Sequence, residues 1–239
     1  MSATPKHATP SWRALVLLAV AILAGVAAGC GSTVQADSRL TVYVSVPLTG
    51  NGAKEGKAVA AGAKEALADA GGEAGGAPVD LELLDDADGT EWTQSSVAAN
   101  ARAATQDSTS IAYIGELLPD ATRISVPITN EAGLLQVAPG PVDRSLLAEA
   151  GGNDVPSDVQ TTGDRSVGAL FESGGGAKIF PPAHDLGYES MAVILDSIDR
   201  AEDPLNRADV IAAFLATSDR DSELGTYTVA PDGLAAFTN

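Results

Sequence analysis

The sequence predicts an α/β protein built on a doubly wound, mostly parallel sheet. Three observations carry that expectation. Short aliphatic and β-branched runs alternate with helix-period segments from residue 40 to residue 142. The connections between them are short and marked by glycine and proline. The composition, 45% hydrophobic and 19% charged over 239 residues, is enough for a buried core. Strands alternating with helices through short loops imply right-handed βαβ units and a parallel sheet.

The elements follow in order. Residues 40–46 (Leu-Thr-Val-Tyr-Val-Ser-Val) are a β-branched strand, ended by the turn residues Pro47-Leu48-Thr49-Gly50-Asn51-Gly52. Residues 54–70 form an alanine-rich helix with Val59, Ala63, Leu67 and Ala70 at helical spacing, closed by Gly71-Gly72. Residues 79–84 are the second strand, ending in Asp85-Asp86, and 90–107 the second helix. Residues 111–114 are a short buried strand, stopped by Gly115. A third helix spans 120–132, with Pro127 expected to kink it or to leave its start ragged. Residues 134–138 are the fourth strand, which Pro139-Gly140-Pro141 is expected to end. Residues 143–185 are rich in glycine and proline and read as an irregular connection with one short helix and one strand at most. Helices at 186–201 and 206–217 and a strand at 225–229 follow.

Composition excludes several functions. With 14 basic against 32 acidic side chains the net charge is −18, and aromatics are 4%. Nucleic acid is therefore not an expected partner, because phosphate binding needs clustered Lys and Arg. One cysteine excludes an intrachain disulfide and a Cys-rich zinc site. No Gly-x-Ser-x-Gly elbow accompanies His184 and Asp185, so the pair predicts no hydrolase. Gly174-Gly175-Gly176 fits neither phosphate-binding pattern, so no nucleotide is expected. Asp85, Asp86, Asp88 and Glu91 are read as a solvated strand end rather than a cation site. No catalytic residue, cofactor or metal is expected.

The N-terminus carries its own information. Lys6 and Arg13 are the only charged side chains before Cys30, and a charge-free run fills residues 14–29. Crossing a bilayer takes about 20 apolar residues, and this run is shorter. It reads as a signal-peptide core. Its end, Val26-Ala27-Ala28-Gly29-Cys30, resembles a bacterial lipoprotein signal, which implies lipid attachment at Cys30. An ordinary secretory signal and an uncleaved anchor are the other readings. Residues 30–39 read as a tether, and the exported remainder is more acidic still, because the segment removed carries only positive charge.

Several phrases together resemble the branched-chain amino-acid-binding proteins of bacterial ABC transporters, of the type 1 periplasmic binding fold. They are Val46-Pro47-Leu48-Thr49-Gly50, Asp69-Ala70-Gly71-Gly72, residues 79–87, Ile111-Ala112-Tyr113-Ile114-Gly115, residues 127–133 and Gln136-Val137-Ala138-Pro139-Gly140, with Gly187-Tyr188-Glu189-Ser190 later. The resemblance implies a first-lobe core at 40–142 and a return to that lobe at 186–239. It also implies a second lobe, which at roughly 100–200 residues cannot be built from the connection 143–185.

The resemblance implies ligand contacts from strand-end loops: Thr49 and Asn51; Glu116, Leu117, Asp120, Ala121 and Thr122; and Gly140 and Val142. The family's serine and threonine hydroxyls are absent from 119–121 and from 142. The implied function is a lipid-anchored extracytoplasmic solute-binding protein, not an enzyme. It would bind an amino acid or related small polar ligand and partner an ABC permease. The alternative is a non-transporting single-lobe interaction module, or a degenerate remnant.

Overall fold

The computed structural model describes residues 39–143, 146, 167–172 and 181–238, with residues 167–172 as backbone alone. The expected signal, Cys30 and most of the tether and of the connection lie outside the described residues.

Strand β1 (Leu40–Val46) is the centre of the sheet. It pairs in parallel with β3 (Ala77–Asp85) on one side, Val42 opposite Leu81, and with β4 (Ser110–Ile114) on the other, Val44 opposite Ile114. Beyond β4 lie β5 (Leu135–Val142) and β6 (Val167–Glu172), both parallel. A two-residue strand β2 (Glu73–Ala74) adds antiparallel to β3. The six-stranded order is β2-β3-β1-β4-β5-β6. The chain winds outward from β1 in both directions, as expected for a doubly wound sheet.

Two helical layers cover it. Helices α1 (Ala53–Asp69), α4 (Ala183–Arg200) and α5 (Arg207–Leu215) pack on one face, α2 (Gln94–Gln106) and α3 (Pro119–Glu131) on the other. Strand alternation sorts the residues. Leu40, Val42, Val44 and Val46 of β1 enter a core with Val59 and Ala63 of α1, Met191, Ile194 and Ile198 of α4, and Val210, Ile211 and Phe214 of α5. The opposite face of the same strand is polar. The Thr41 and Thr109 hydroxyls meet at 2.8 Å, the Tyr43 hydroxyl donates to Asp107 at 2.8 Å, and Ser45 lies under α2. Hydrogen bonds therefore add to a smaller apolar cluster of Ala101, Ala104, Tyr113 and Leu134 in holding the α2–α3 layer to the sheet.

The α1–α4 contact is close because it is made by glycines. A Cβ on Gly62 would overlap the His184 carbonyl, and one on Gly187 would overlap the Val59 carbonyl. The two backbones can approach only while both positions lack a side chain.

Several expectations change at their boundaries. Helix α2 starts at Gln94, not residue 90, because the Thr93 hydroxyl accepts from Ser96 N–H at 3.1 Å and caps it. Pro127 sits on the exposed side of α3 and the helix runs through it. Strand β5 does not stop at Pro139 but continues to Val142. Its register against β6 shifts between Ala138 and Pro141, which absorbs two residues that cannot donate to a ladder. The connection 143–185, expected to hold at most one short helix and one strand, contains strand β6. Helix α4 begins three residues early, at Ala183. Near the end, β7 (Tyr227–Val229) and β8 (Ala235–Phe237) form a separate antiparallel pair, of which β8 was not anticipated.

Candidate functional site

The sheet reverses its strand order at β1, and the carboxyl ends of β1 and β4 open there. In doubly wound sheets ligands bind in the crevice at such a point. Here the crevice is a groove of about 380 Å³. Its walls come from Pro47 after β1, Leu117 and Leu118 after β4, Gly140 and Pro141 in β5, and Ala183 and Leu186 at the start of α4. Glu55, in the first turn of α1, is the one charged lining residue among those described.

Local backbone geometry shapes the walls. A side chain on Gly140 would overlap the Leu117 carbonyl, so β5 and the loop after β4 touch directly. That loop is also tied down from beneath. Gln136 of β5 donates from Nε2 to the Gly115 carbonyl at 2.7 Å and to the Ser125 hydroxyl at 2.8 Å. Its Oε1 accepts from Thr129 at 2.6 Å. All these groups are buried, so the network is satisfied and rigid.

The expected ligand residues divide. Leu117 and Gly140 line the groove. Thr49 and Asn51 are exposed on the adjoining loop, but the Thr49 hydroxyl donates to Asp85 at 2.7 Å and Asn51 N–H donates to the Thr90 carbonyl at 2.6 Å. Asp120 is exposed on α3. Ala121, Thr122 and Val142 are buried, and the Thr122 hydroxyl is turned inward onto the Leu118 carbonyl. Glu116, expected at the rim, is 0% exposed. It lies one residue before the groove wall and points into the polar layer below it.

Glu116 belongs to a cluster that sequence reasoning missed. Its carboxyl accepts from the Tyr113 hydroxyl at 2.6 Å and from the Ser45 hydroxyl at 3.1 Å, and Asn100 of α2 donates to Ser45 at 3.0 Å. Asp86, also buried, shares a hydrogen bond with Glu116. Two carboxyls can do so only with a proton between them. Burial raises the Glu116 carboxyl well above its ordinary range and pushes Asp86 up to about 6. Both carboxyls are raised, so the pair holds a proton in common. The other oxygen of Asp86, Oδ1, has no partner among the described residues. The only sequence signal was a Glu two residues after a short, fully buried strand that carries Tyr113.

Asp85, next in chain to Asp86, behaves oppositely. Partial burial works to raise its carboxyl, but hydrogen bonds from Leu48 N–H, the Thr49 hydroxyl and Ala87 N–H outweigh that and hold it below the usual value. It ties the loop after β1 to the end of β3. Asp88 turns back on Thr90 N–H at 2.9 Å, so the acidic run disperses into separate structural roles. His184 lies between Glu65 (3.1 Å) and Asp185 (3.4 Å), and the Tyr188 hydroxyl donates to Asp69, away from the groove.

These features define the class of fold: a type 1 periplasmic-binding-protein α/β lobe. Among solved structures the chain is similar to the leucine-binding protein LivK from Thermotoga maritima, with a TM-score of 0.62 and 15% identity over 82% of this chain and 93% of that one. It is similar to LivJ from Streptococcus pneumoniae in complex with isoleucine, with a TM-score of 0.62 and 11% identity over 82% and 93%. A solute-binding protein from R. palustris in complex with benzoate gives 0.60 and 11% over 83% and 91%. At these identities the likeness establishes the fold. No protein-family model and no curated protein matches the sequence. Among the described residues no helix is long and apolar enough to cross a membrane.

Proposed function

We propose that the protein is an extracytoplasmic solute-binding lobe, tethered through a lipid on Cys30, that takes a small ligand in the switch-point groove for an ABC permease. The observation that supports this is the position of the groove, at the one place in the sheet where strand order reverses and three helix starts converge. Leu117 and Gly140 contact the ligand. Thr49 and Asn51 border it. Glu116, Ala121, Thr122 and Val142 act from below by fixing the walls. No chemistry is performed on the ligand.

The lobe architecture implies weak binding, because a groove open on one side leaves the ligand partly in water. Calorimetric titration of the exported protein with amino acids, amides and small carboxylates is expected to find a ligand of high-micromolar to millimolar affinity. If none binds and the protein self-associates in light scattering, the single-lobe interaction module replaces this reading. Leu118, 41% exposed on the groove wall, is the feature that favours that second reading.

A further inference from the structure

This inference rests on the solute-binding reading and names the ligand class: we propose that the groove takes an apolar organic ammonium ion rather than a carboxylate or an amino acid. The lining is apolar on nearly every side, from Pro47, Leu117, Leu118, Pro141 and Leu186. No lining residue among those described carries a hydroxyl or a positive charge. The neighbouring hydroxyls are committed elsewhere. Thr49 donates to Asp85, and Thr122 donates to the Leu118 carbonyl.

Helix starts ordinarily favour anions, and α1, α3 and α4 all begin here. Each already has a carboxylate in its first turn: Glu55, Asp120 and Asp185. Pro119 at the start of α3 also removes one N–H that an anion could use. An incoming carboxylate would therefore find no donor side chain among the described lining residues and one like charge, Glu55. An ammonium group finds Glu55 at the groove edge, and its apolar body finds the leucine and proline walls. The chain's charge of −18 acts in the same direction by raising the local concentration of cations over anions.

The test uses three probes of one shape on the exported protein: benzylammonium, benzyl alcohol and benzoate. Affinities are read by calorimetry or by chemical-shift titration at pH 7 and low salt. Benzylammonium is expected to bind about fivefold more tightly than benzyl alcohol, and benzoate most weakly, the margin that one exposed ion pair provides. Glu55→Gln should weaken benzylammonium about threefold and leave benzyl alcohol unchanged. Glu55 is exposed, so the variant is expected to keep the wild-type melting temperature. If benzoate binds most tightly, or Glu55→Gln changes nothing, the ammonium assignment is overturned while solute binding stands. If no probe binds at millimolar concentration, the ammonium assignment falls, and the titration with amino acids, amides and small carboxylates decides separately whether solute binding stands.

Discussion

At the scale of single residues, the least ordinary feature is a proton. Asp86 and Glu116 are both buried, hydrogen-bonded to each other, and surrounded by Ser45, Tyr113 and Asn100 rather than by a cation. A carboxyl raised in the folded state keeps its proton when the unfolded chain has lost it. The folded state then binds more protons than the unfolded state, and stability falls as pH rises. The contribution is fully present below the unfolded values near 4 and is lost as pH climbs through about 6 and beyond, where the pair ionises. Glu116→Gln replaces the protonated acid with a neutral group of the same shape, able to donate to Asp86 and accept from Tyr113. The variant is expected to melt at or above the wild-type temperature at pH 8, with the difference shrinking toward pH 5. A difference that grows toward low pH would contradict the shared proton. None of this was legible from the chain. The sequence places Glu116 at the rim as a ligand contact, and only the fold brings residue 45 and residue 86 against it.

At the scale of elements, the glycine contact between α1 and α4 is the most exacting. Gly62→Ala or Gly187→Ala would place a methyl group on a backbone carbonyl that cannot rotate away. The helices must separate, and overpacking of this kind costs about 1–3 kcal/mol. Urea denaturation should show that loss at either position, whereas Lys57→Ala on the exposed face of α1 should stay within about 0.5 kcal/mol of wild type. The long elements were legible because each repeats a clear period: Val59, Ala63 and Ala66 inward on α1, Val42, Val44 and Val46 on β1. Elements defined by partners were not. Strand β6 sits in a glycine-rich stretch and is a strand because β5 offers an edge, and β2 has only two residues. From sequence β5 reads as ending at Ala138, since two prolines normally end a ladder. The register shift and the backbone contact at Gly140 let it continue. The groove was legible in outline, as loops at the carboxyl ends of strands. Its apolar lining was not, because Pro181, Ala183 and Leu186 come from a helix start that lies far along the sequence.

At the scale of the whole molecule, α4 decides whether the sheet is covered. Met191, Val193, Ile194, Leu195 and Ile198 are all buried, and at about 1.5–3 kcal/mol each they contribute on the order of 10 kcal/mol, comparable with the net stability of a typical domain. A fragment ending at residue 172 is therefore expected to show no cooperative thermal transition by circular dichroism, although it contains every strand of the main sheet. A sharp transition in that fragment would mean that α1, α2 and α3 suffice. The same contact sets an order of events. Tyr188 meets Asp69 across 119 positions of chain, so the aliphatic face of β1 finds its cover only after most of the polypeptide exists. Contacts of such long sequence separation close slowly. During synthesis or passage through a membrane channel, the early strands would wait with their valines bare. Exposed apolar strands favour aggregation, and the chain's acidity works against it by keeping waiting copies apart.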